Sequence, residues 1–408
     1  NKRRSLETGA TYGTTIKASA SDTVLFPEGI HTDVGGISVV VSPSVIGNVE
    51  GAFKYIRDYP YLCWEQRLTK GVMASHFLNL KSYLPDSLKW EGSQSLPQET
   101  LNDASSFQAP NGGMVYWVPQ DRYVSPYLSA YTALAFNWLK ASGHKVPQEV
   151  EKKLHGYLEK FLLRDVMPDF FTQGMASTVR AVALAALSGH GKVTLADLER
   201  YRTHVPEMSL FGKAHYLQAA QSVGGADVMI AEVLDDVLSH ASQSGGKFQF
   251  NEPWDDGYRH LLATPLRTNC SILSGLVALE QLPFYKDKVG DIPFKMVRAI
   301  TQTRGNRDHW ENTQENLFCL NSLVDYSRVY EKVKPDMRVR AFTGDQQFGE
   351  TRFDDLRNPA VTFDDKATQP RAGLKTQVKV KKEGHIHHEQ SAFQTIDIYD
   401  TQTYRKLM

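Results

Sequence analysis

The chain has 408 residues, of which 41% are hydrophobic and 23% are charged, so it can bury a sizeable core and is not of the disordered class. Its 46 Lys and Arg residues balance its 46 Asp and Glu residues. A formal net charge of zero argues against binding to nucleic acid or to anionic membranes through bulk charge. The longest strongly apolar run, residues 181–187, is far shorter than the roughly 20 residues that a membrane-spanning helix needs.

Hydrophobic patterning divides the chain into three stretches and a tail. Residues 1–45 carry β-branched runs punctuated by Gly and Pro, which predict strands. Residues 46–335 change to helix-length segments separated by Gly, Pro or Asn. Residues 336–385 return to strands, because segments such as 374–381 alternate with a period of two. We assign no element to residues 386–408.

The helical stretch alternates apolar helices rich in small residues with amphipathic helices. A Ser, Thr or Asn residue that can cap the first turn precedes several apolar helices, and Pro, which suits that turn, follows some of them. The predicted starts are Ser125, Ser177, Ser209, Thr264 and Asn312, and a start near Cys63 makes six. The fold class predicted is therefore mainly α, with an α/α toroid of about six helical hairpins between two stretches of β structure. An open helical solenoid is the alternative.

Three cysteines, Cys63, Cys270 and Cys319, are too few for a disulfide framework in a chain of this length. Their odd number leaves at least one free thiol. Cys270 and Cys319 lie in apolar helices, where we expect separate, buried and unreactive thiols.

The third cysteine lies in the segment 58–66, Asp-Tyr-Pro-Tyr-Leu-Cys-Trp-Glu-Gln. If a helix begins near Cys63, the side chains of Cys63 and Gln66 share one face, because residues three apart are neighbours on a helix. The thiol can then meet the carboxamide carbon, and loss of ammonia would leave an internal thioester. The helix start is also expected to favour the thiolate. From the residues alone, a buried structural cysteine is the alternative.

Residues 59–66 resemble the thioester motif Tyr-Pro-Tyr-Gly-Cys-x-Glu-Gln of bacterial members of the α2-macroglobulin superfamily, with Leu62 where Gly is usual. Three further segments resemble the same family in the same order. They are residues 26–44, 111–131 and 310–316. The resemblance spans about residues 24–380.

The resemblance implies a domain organisation for the chain. Residues 46–335 would form the helical thioester domain. Residues 1–45 and 336–385 would be the two parts of the CUB-like β-sandwich into which that domain is inserted. Because members of the family are usually several times longer, we expect the chain to be a fragment of a longer macroglobulin.

The resemblance also assigns the site residues. Cys63 supplies the sulfur of the thioester, and Gln66 supplies the acyl group. The surrounding residues expected to shield the bond from water, or else to be ordinary core and rim residues, are Tyr61, Trp64, Glu65, Tyr116 and Trp117. Residues 163–171 occupy the loop in which some complement relatives carry a histidine that directs transfer to hydroxyls. This loop has no histidine, which favours direct reaction with amines.

The function that the resemblance implies is broad-spectrum protease trapping by an inhibitor, not an enzyme, that needs no cofactor. Its partners would be proteases, captured through lysine amines, and the rest of the full-length macroglobulin. Family analogy adds a peptidoglycan-synthesis partner, and nucleic acid is not expected. Bacterial members are periplasmic and often anchored to the inner membrane as lipoproteins, so we expect this location.

Two other interpretations remain open. An α/α-toroid enzyme, such as a glycosidase or a terpenoid cyclase, would use acidic residues such as those of segment 252–256, for which no second well-placed acid is identifiable. A member of the same family without a thioester would act only as a scaffold. Segment 385–389, His-Ile-His-His-Glu, has a metal-like composition but no matching ligand cluster, so no metal site is predicted.

Overall fold

The computed structural model describes residues 19–25, 36–44, 49–81, 83–84, 86–164, 167–244, 247–304, 307–331, 334–365, 375–383 and 393–399. These residues form two compact units. One unit holds the described residues before 49, those within 82–88 and those after 325, and the other holds residues 49–81 and the described part of 89–325. Segments 26–35 and 385–389, which carry part of the predicted strands and the histidine-rich motif, lie outside the described residues.

The larger unit is helical, which confirms the prediction of a mainly helical chain. Its helices are α1 Glu50–Arg57, α2 Trp64–Asn79, α3 Leu96–Asp103, α4 Pro126–Ala141, α5 Gln148–Leu163, α6 Gln173–Ser188, α7 Leu195–Arg202, α8 Leu210–Val223, α9 Asp227–Ser239, α10 Pro265–Glu280, α11 Pro283–Val289, α12 Ile292–Gln302 and most of α13 Thr313–Tyr330. A short hairpin of strands β3 Ala241–Ser244 and β4 Lys247–Phe250 separates α9 from α10. No helix among the described residues is both long and apolar enough to cross a membrane.

The apolar helices begin largely where the capping pattern predicts. Ser125, Ser209 and Thr264 each precede a helix and accept a hydrogen bond from a backbone N–H of its first turn. The predicted start of α6 at Ser177 is wrong. Thr172 caps this helix by accepting from the backbone N–H of Met175 at 3.2 Å, so the helix begins one turn earlier.

Six of the described helices follow one another in a closed ring. Contacts join α2 to α4, α4 to α6, α6 to α8 and α8 to α10. A disulfide joins α10 to α13, and hydrogen bonds between Glu65 and residues Thr313 and Gln314 join α13 back to α2. The last helix therefore meets the first, as a toroid requires and as an open solenoid would not allow.

The disulfide that closes the ring contradicts the prediction of separate thiols. Cys270 and Cys319 are bonded to each other, with their Cα atoms 4.8 Å apart. They lie 49 residues apart in the sequence, on helices that only the ring brings together. By chain entropy, a cross-link across a loop of this length stabilises the fold by about 4 kcal/mol.

The smaller unit consists of two antiparallel sheets. Their strands are β1 Ser19–Leu25, β2 Gly36–Ser42, β5 Met337–Thr343, β6 Gln346–Phe353, β7 Val361–Asp365, β8 Lys375–Glu383 and β9 Phe393–Tyr399. The four-stranded sheet has the order β1-β8-β5-β6, and the three-stranded sheet has the order β7-β2-β9. Strands from before and after the helices pair in both sheets, since β1 lies against β8 and β2 lies against β7.

One hydrophobic cluster connects the two sheets of this unit. It includes Val39 of β2 and Phe363 of β7 from one sheet, and Val339 of β5 and Val378 of β8 from the other. The predicted alternation holds, because Val378 is buried while its neighbour Gln377 is exposed. Residues 386–408, to which the sequence analysis assigns no element, contain a strand. Strand β9 lies there and pairs with β2, a long-range pairing that no local pattern discloses.

Candidate functional site at the start of helix α2

The predicted helix start at Cys63 is present. Helix α1 ends at Arg57, and α2 begins at Trp64 with Cys63 as its extended N-terminal cap residue (φ −64°, ψ 167°). The cap leaves the first backbone N–H groups of the helix free to bind other acceptors. These acceptors include the side chain of Cys63 and the carbonyl oxygen of Tyr116, two residues predicted for the site.

The first pair is Cys63 and Gln66. The backbone N–H of Cys63 donates to Oε1 of Gln66 at 3.1 Å, while the backbone N–H of Gln66 faces the side chain of Cys63. This reciprocal arrangement is a capping box with a thiol in the place of the usual hydroxyl. The carboxamide carbon lies one bond from the oxygen that binds Cys63, so the structure brings the two residues together within one helical turn.

Burial controls the protonation of this thiol. The side chain of Cys63 is buried and lies outside the disulfide. Desolvation raises the pKa of Cys63 to about 11, although backbone N–H groups of Gln66 and Glu65 act in the opposite direction. The expectation that the helix start favours the thiolate is therefore wrong. Desolvation raises the pKa of the thiol by more than the helix donors lower it.

Trp64 fixes the start of α2 in the core. Its side chain is fully buried, its indole N–H donates to Oγ1 of Thr132 at 2.9 Å, and its ring stacks on Phe107 with centroids 5.0 Å apart. Its backbone N–H donates to the carbonyl oxygen of Tyr116 at 2.9 Å. The segment that contains Tyr116 is therefore anchored directly to the turn that contains Cys63.

The loop before Tyr116 depends on a glycine with a left-handed conformation. Gly112 has φ +93°, and a Cβ at this position would lie 2.3 Å from the carbonyl oxygen of Lys153 on α5. Asn111 supports the same turn, since its Oδ1 accepts from the backbone N–H of Gly113 at 3.0 Å. This close approach explains why the segment has Gly at a position where other residues would be strained.

The aromatic residues predicted around the site divide into two groups. Tyr116 is partly buried, and desolvation raises its pKa. Tyr61 and Trp117 are largely exposed, with 64% and 61% of their surfaces accessible. The residues that pack against the helix start are therefore Trp64 and Tyr116.

The side chain of Glu65 points towards the centre of the helical ring. It accepts hydrogen bonds from Thr69 at 3.0 Å, from Thr313 at 3.0 Å and from Nε2 of Gln314 at 2.7 Å. Burial raises the pKa of Glu65, and these donors oppose that effect. Glu65 therefore connects the start of α2 to the start of α13.

The hydrogen bonds continue across the ring to residues that were not predicted for the site. The Tyr127 hydroxyl donates to Oε1 of Gln314 at 2.7 Å and accepts from Arg267 at 2.6 Å. A polar chain thus runs from Glu65 through Gln314 and Tyr127 to Arg267. Tyr127 and Gln314 lie in the segments 111–131 and 310–316 that resemble the macroglobulin family, and Arg267 is a charged residue near the start of a largely apolar helix.

Aromatic side chains fill the space around this polar chain. The Arg267 guanidinium lies 3.9 Å from the centroid of the Phe211 ring, and Phe318 of α13 contacts both Phe211 and Tyr131. These rings come from α4, α8 and α13, so side chains occupy the middle of the ring.

A cavity of about 490 Å³ lies at the other candidate carboxylate, Glu252. Burial raises the pKa of Glu252, and its Oε2 accepts from the backbone N–H of Leu210 at the start of α8. Asp236, an acid that the sequence did not single out, lines the same cavity. Asp236, however, is bound to Lys213 at 2.5 Å. Of the two acids, one is paired with a lysine and the other caps a helix.

Comparison with known proteins identifies the class of fold. No protein-family model and no curated protein sequence matches the chain. Solved structures do match, and the fold is that of a segment of the bacterial alpha-2-macroglobulins. The resemblance found in the sequence is thereby confirmed at the level of the fold.

Three of these structures show how much of the relatives the chain spans. It is 17% identical to native Escherichia coli alpha-2-macroglobulin, covering 98% of this chain and 23% of that one with a TM-score of 0.61. It is 16% identical to an E. coli structure from domain MG7 to the C-terminus, covering 98% of this chain and 58% of that one with a TM-score of 0.62. It is 18% identical to Salmonella alpha-2-macroglobulin reacted with methylamine, covering 98% of this chain and 24% of that one with a TM-score of 0.61.

Proposed function

We propose that the chain is the thioester-bearing region of a bacterial alpha-2-macroglobulin and that Cys63 and Gln66 form the thioester. The observation that carries this proposal is the reciprocal pairing of Cys63 with Gln66 at the start of α2, in a chain with this fold. The Cys63 sulfur would add to the carboxamide carbon of Gln66, and ammonia would leave. An attacking amine would then take the acyl group and return the proton to the Cys63 sulfur.

The surroundings of Cys63 support a bond that is protected until it is used. Cys63 is buried at a helix start that Trp64 and Tyr116 hold in place, so bulk water has little access to its sulfur. The thiol released by an amine is protonated at neutral pH, because burial raises its pKa to about 11. Such a thiol is a weak nucleophile and would not readily reverse the transfer.

Proteases are the proposed targets, and lysine amines are the proposed attacking groups. Structures of E. coli alpha-2-macroglobulin activated by porcine elastase and by trypsin support proteases as partners. The absence of histidine from segment 163–171 supports direct reaction with amines. Each chain would react once, as an inhibitor does, without turnover. The chain spans less than two thirds of these relatives, so the trapping activity, the other macroglobulin domains and any peptidoglycan-synthesis partner belong to this proposal.

The remaining parts of the proposal concern the β unit and the location. The two antiparallel sheets share one core, and their strands come from before and after the helical unit in the sequence, as expected of a CUB-like domain interrupted by a thioester domain.

The Cys270–Cys319 disulfide supports a periplasmic location, because disulfides persist in oxidising compartments. We propose that a lipoprotein anchor at the inner membrane lies in the full-length protein.

Intact-mass spectrometry with methylamine tests the thioester. Protein purified without amines should be lighter than its sequence mass, allowing for the disulfide, by one ammonia. Methylamine should then add once, at Gln66, and release one titratable thiol at Cys63. Cys63→Ala removes the nucleophile and should abolish both effects, whereas the joint replacement of Cys270 and Cys319 by alanine should preserve them. An unmodified Gln66 beside a free Cys63 in full-length protein kept free of amines would contradict the proposal.

A further inference from the structure

Three residues outside the proposed thioester site bring potential metal ligands together between helix α5 and the end of helix α6. Glu151 and His155 lie one turn apart on α5, and His190 follows the end of α6. One ligand atom from each lies within 4.8 Å of the other two. The rings of His155 and His190 are 4.6 Å apart between centroids.

One nitrogen of this cluster is buried without a hydrogen-bond partner. The side chain of His155 is 96% buried, since only 4% of its surface is accessible, and its Nε2 has no hydrogen-bond partner. A buried polar atom without a partner is costly, and most such atoms in folded proteins are satisfied by another group, a water or an ion. Burial also lowers the pKa of His155 to about 4, which keeps the imidazole neutral at physiological pH.

We propose that Glu151, His155 and His190 form a binding site for a divalent transition-metal ion with the ligand preferences of zinc. Two imidazoles and one carboxylate suit zinc better than magnesium or calcium, which prefer oxygen ligands. Around tetrahedral zinc the ligand atoms stand about 3.4 Å apart, so atoms now within 4.8 Å of one another need to close by up to about 1.4 Å. A bound ion would join the outer helix α5 to the end of the inner helix α6 and leave one coordination position for water.

The surroundings show what orients the site and what competes for it. Nε2 of His190, which lies 4.0 Å from Oε1 of Glu151, donates to Oδ1 of Asn137 at 2.6 Å, while the Asn137 amide donates to the backbone carbonyl of Ala186. Asn137 therefore orients the ring of His190 and competes with an ion for its Nε2. Lys140 donates to both carboxylate oxygens of Glu151 at 2.7 Å. The lysine side chain is 40% exposed, so it can move into solvent when an ion takes its place.

Zinc binding to the full chain provides the test, in a background that removes an unrelated source of ligands. His385, His387 and His388 are replaced by Gln in every protein compared, because this histidine-rich segment can bind zinc by itself. Titration calorimetry and the visible absorption of added Co²⁺ measure the metals directly. We expect one zinc ion per chain, four-coordinate cobalt absorption and no binding of Mg²⁺ at the same concentration.

Single variants separate the proposed site from adventitious binding. His190→Gln and Glu151→Gln should each weaken zinc binding at least tenfold, whereas Lys140→Met should strengthen it because the competing ammonium is gone. His240→Gln, which removes a histidine beside Asp236, should leave affinity unchanged. Because His155→Gln alters a buried side chain, circular dichroism must first show that it folds; His190→Gln and Lys140→Met carry the test regardless. Zinc binding that survives His190→Gln, equal binding of Mg²⁺, or no zinc binding would overturn the proposal.

Discussion

Glu65 and Gln314 lie 249 positions apart in the sequence, and a hydrogen bond of 2.7 Å joins them in the middle of the helical ring. The bond connects the helix that begins at the proposed thioester residues to the helix that closes the ring. Glu65 lies between Trp64 and Gln66 in the sequence, and its bond partner Gln314 belongs to the helix that closes the ring. The position of the turn that holds Cys63 and Gln66 therefore depends on the closure of the whole ring.

Glu65→Ala is expected to lower the free energy of unfolding by about 3 kcal/mol. The change leaves the Thr313 hydroxyl and the Gln314 amide buried without their acceptor, and each unpaired group costs about 1–3 kcal/mol. Urea unfolding followed by circular dichroism measures the effect. Glu91→Ala, at an exposed position, should change stability by less than about 0.5 kcal/mol. Equal effects of the two substitutions would show that the buried carboxylate does not hold the ring together.

The free Cys63 thiol is expected to react slowly at neutral pH. In Gln66→Met, which has no carboxamide and so cannot form the thioester, the folded-state pKa of about 11 lies two units above the ordinary value of 9.0. The thiolate fraction at pH 8 should therefore be about 100-fold lower than in the unfolded chain. The rate of iodoacetamide alkylation should rise about tenfold per pH unit from pH 8 to pH 10 in the folded variant.

The same variant unfolded in urea provides the control, because its alkylation rate should level off near pH 9. The sign of the effect follows from desolvation, which disfavours the charged thiolate and so raises the pKa of an acid. A rate that levels off near pH 8 in the folded protein would show that the helix donors outweigh burial after all.

Removal of the disulfide is expected to weaken the ring without disabling the thioester. The joint replacement of Cys270 and Cys319 by alanine should lower the free energy of unfolding by about 2–4 kcal/mol, because the unfolded chain loses its cross-link. Dithiothreitol should destabilise the parent protein to a similar extent and leave the double variant unaffected. Two titratable thiols at positions 270 and 319 in protein purified under oxidising conditions would contradict the assignment.

Gly112→Ala is expected to disturb the turn of Cys63 from a distance. The new Cβ would lie 2.3 Å from the carbonyl oxygen of Lys153 and would occupy a left-handed conformation, so the loop has to move. Movement of the loop shifts the Tyr116 carbonyl that accepts from the start of α2. We expect a loss of more than 1 kcal/mol in stability and faster hydrolysis of the thioester, measured by mass spectrometry over time.

Gly156→Ala is the matched control for this substitution. Gly156 lies within α5, and a Cβ there would meet no atom within 4 Å. Alanine favours the helix by up to about 1 kcal/mol relative to glycine, so stability should rise slightly and the thioester should be unaffected. A Gly112→Ala protein as stable as Gly156→Ala would show that the loop tolerates a side chain.

The sequence allowed the local features of the fold and the site to be predicted. Caps such as Ser125 and Thr264 marked helix starts, because a side-chain oxygen beside free N–H groups is recognisable within one turn. The spacing of Cys63 and Gln66 likewise required only the geometry of a single turn. Alternation in the segment of β8 showed which residues face a core.

Only the tertiary structure decided the relationships between distant segments. The bond between Cys270 and Cys319 and the pairing of β9 with β2 depend on closure of the ring and of the sheets, which no local pattern encodes. The raised pKa of Cys63 has the same origin, since the helix start argued for the thiolate and only the packing around it showed that desolvation is stronger. Local sequence determined where the turn of Cys63 begins, and long-range packing determined how strongly that turn is buried.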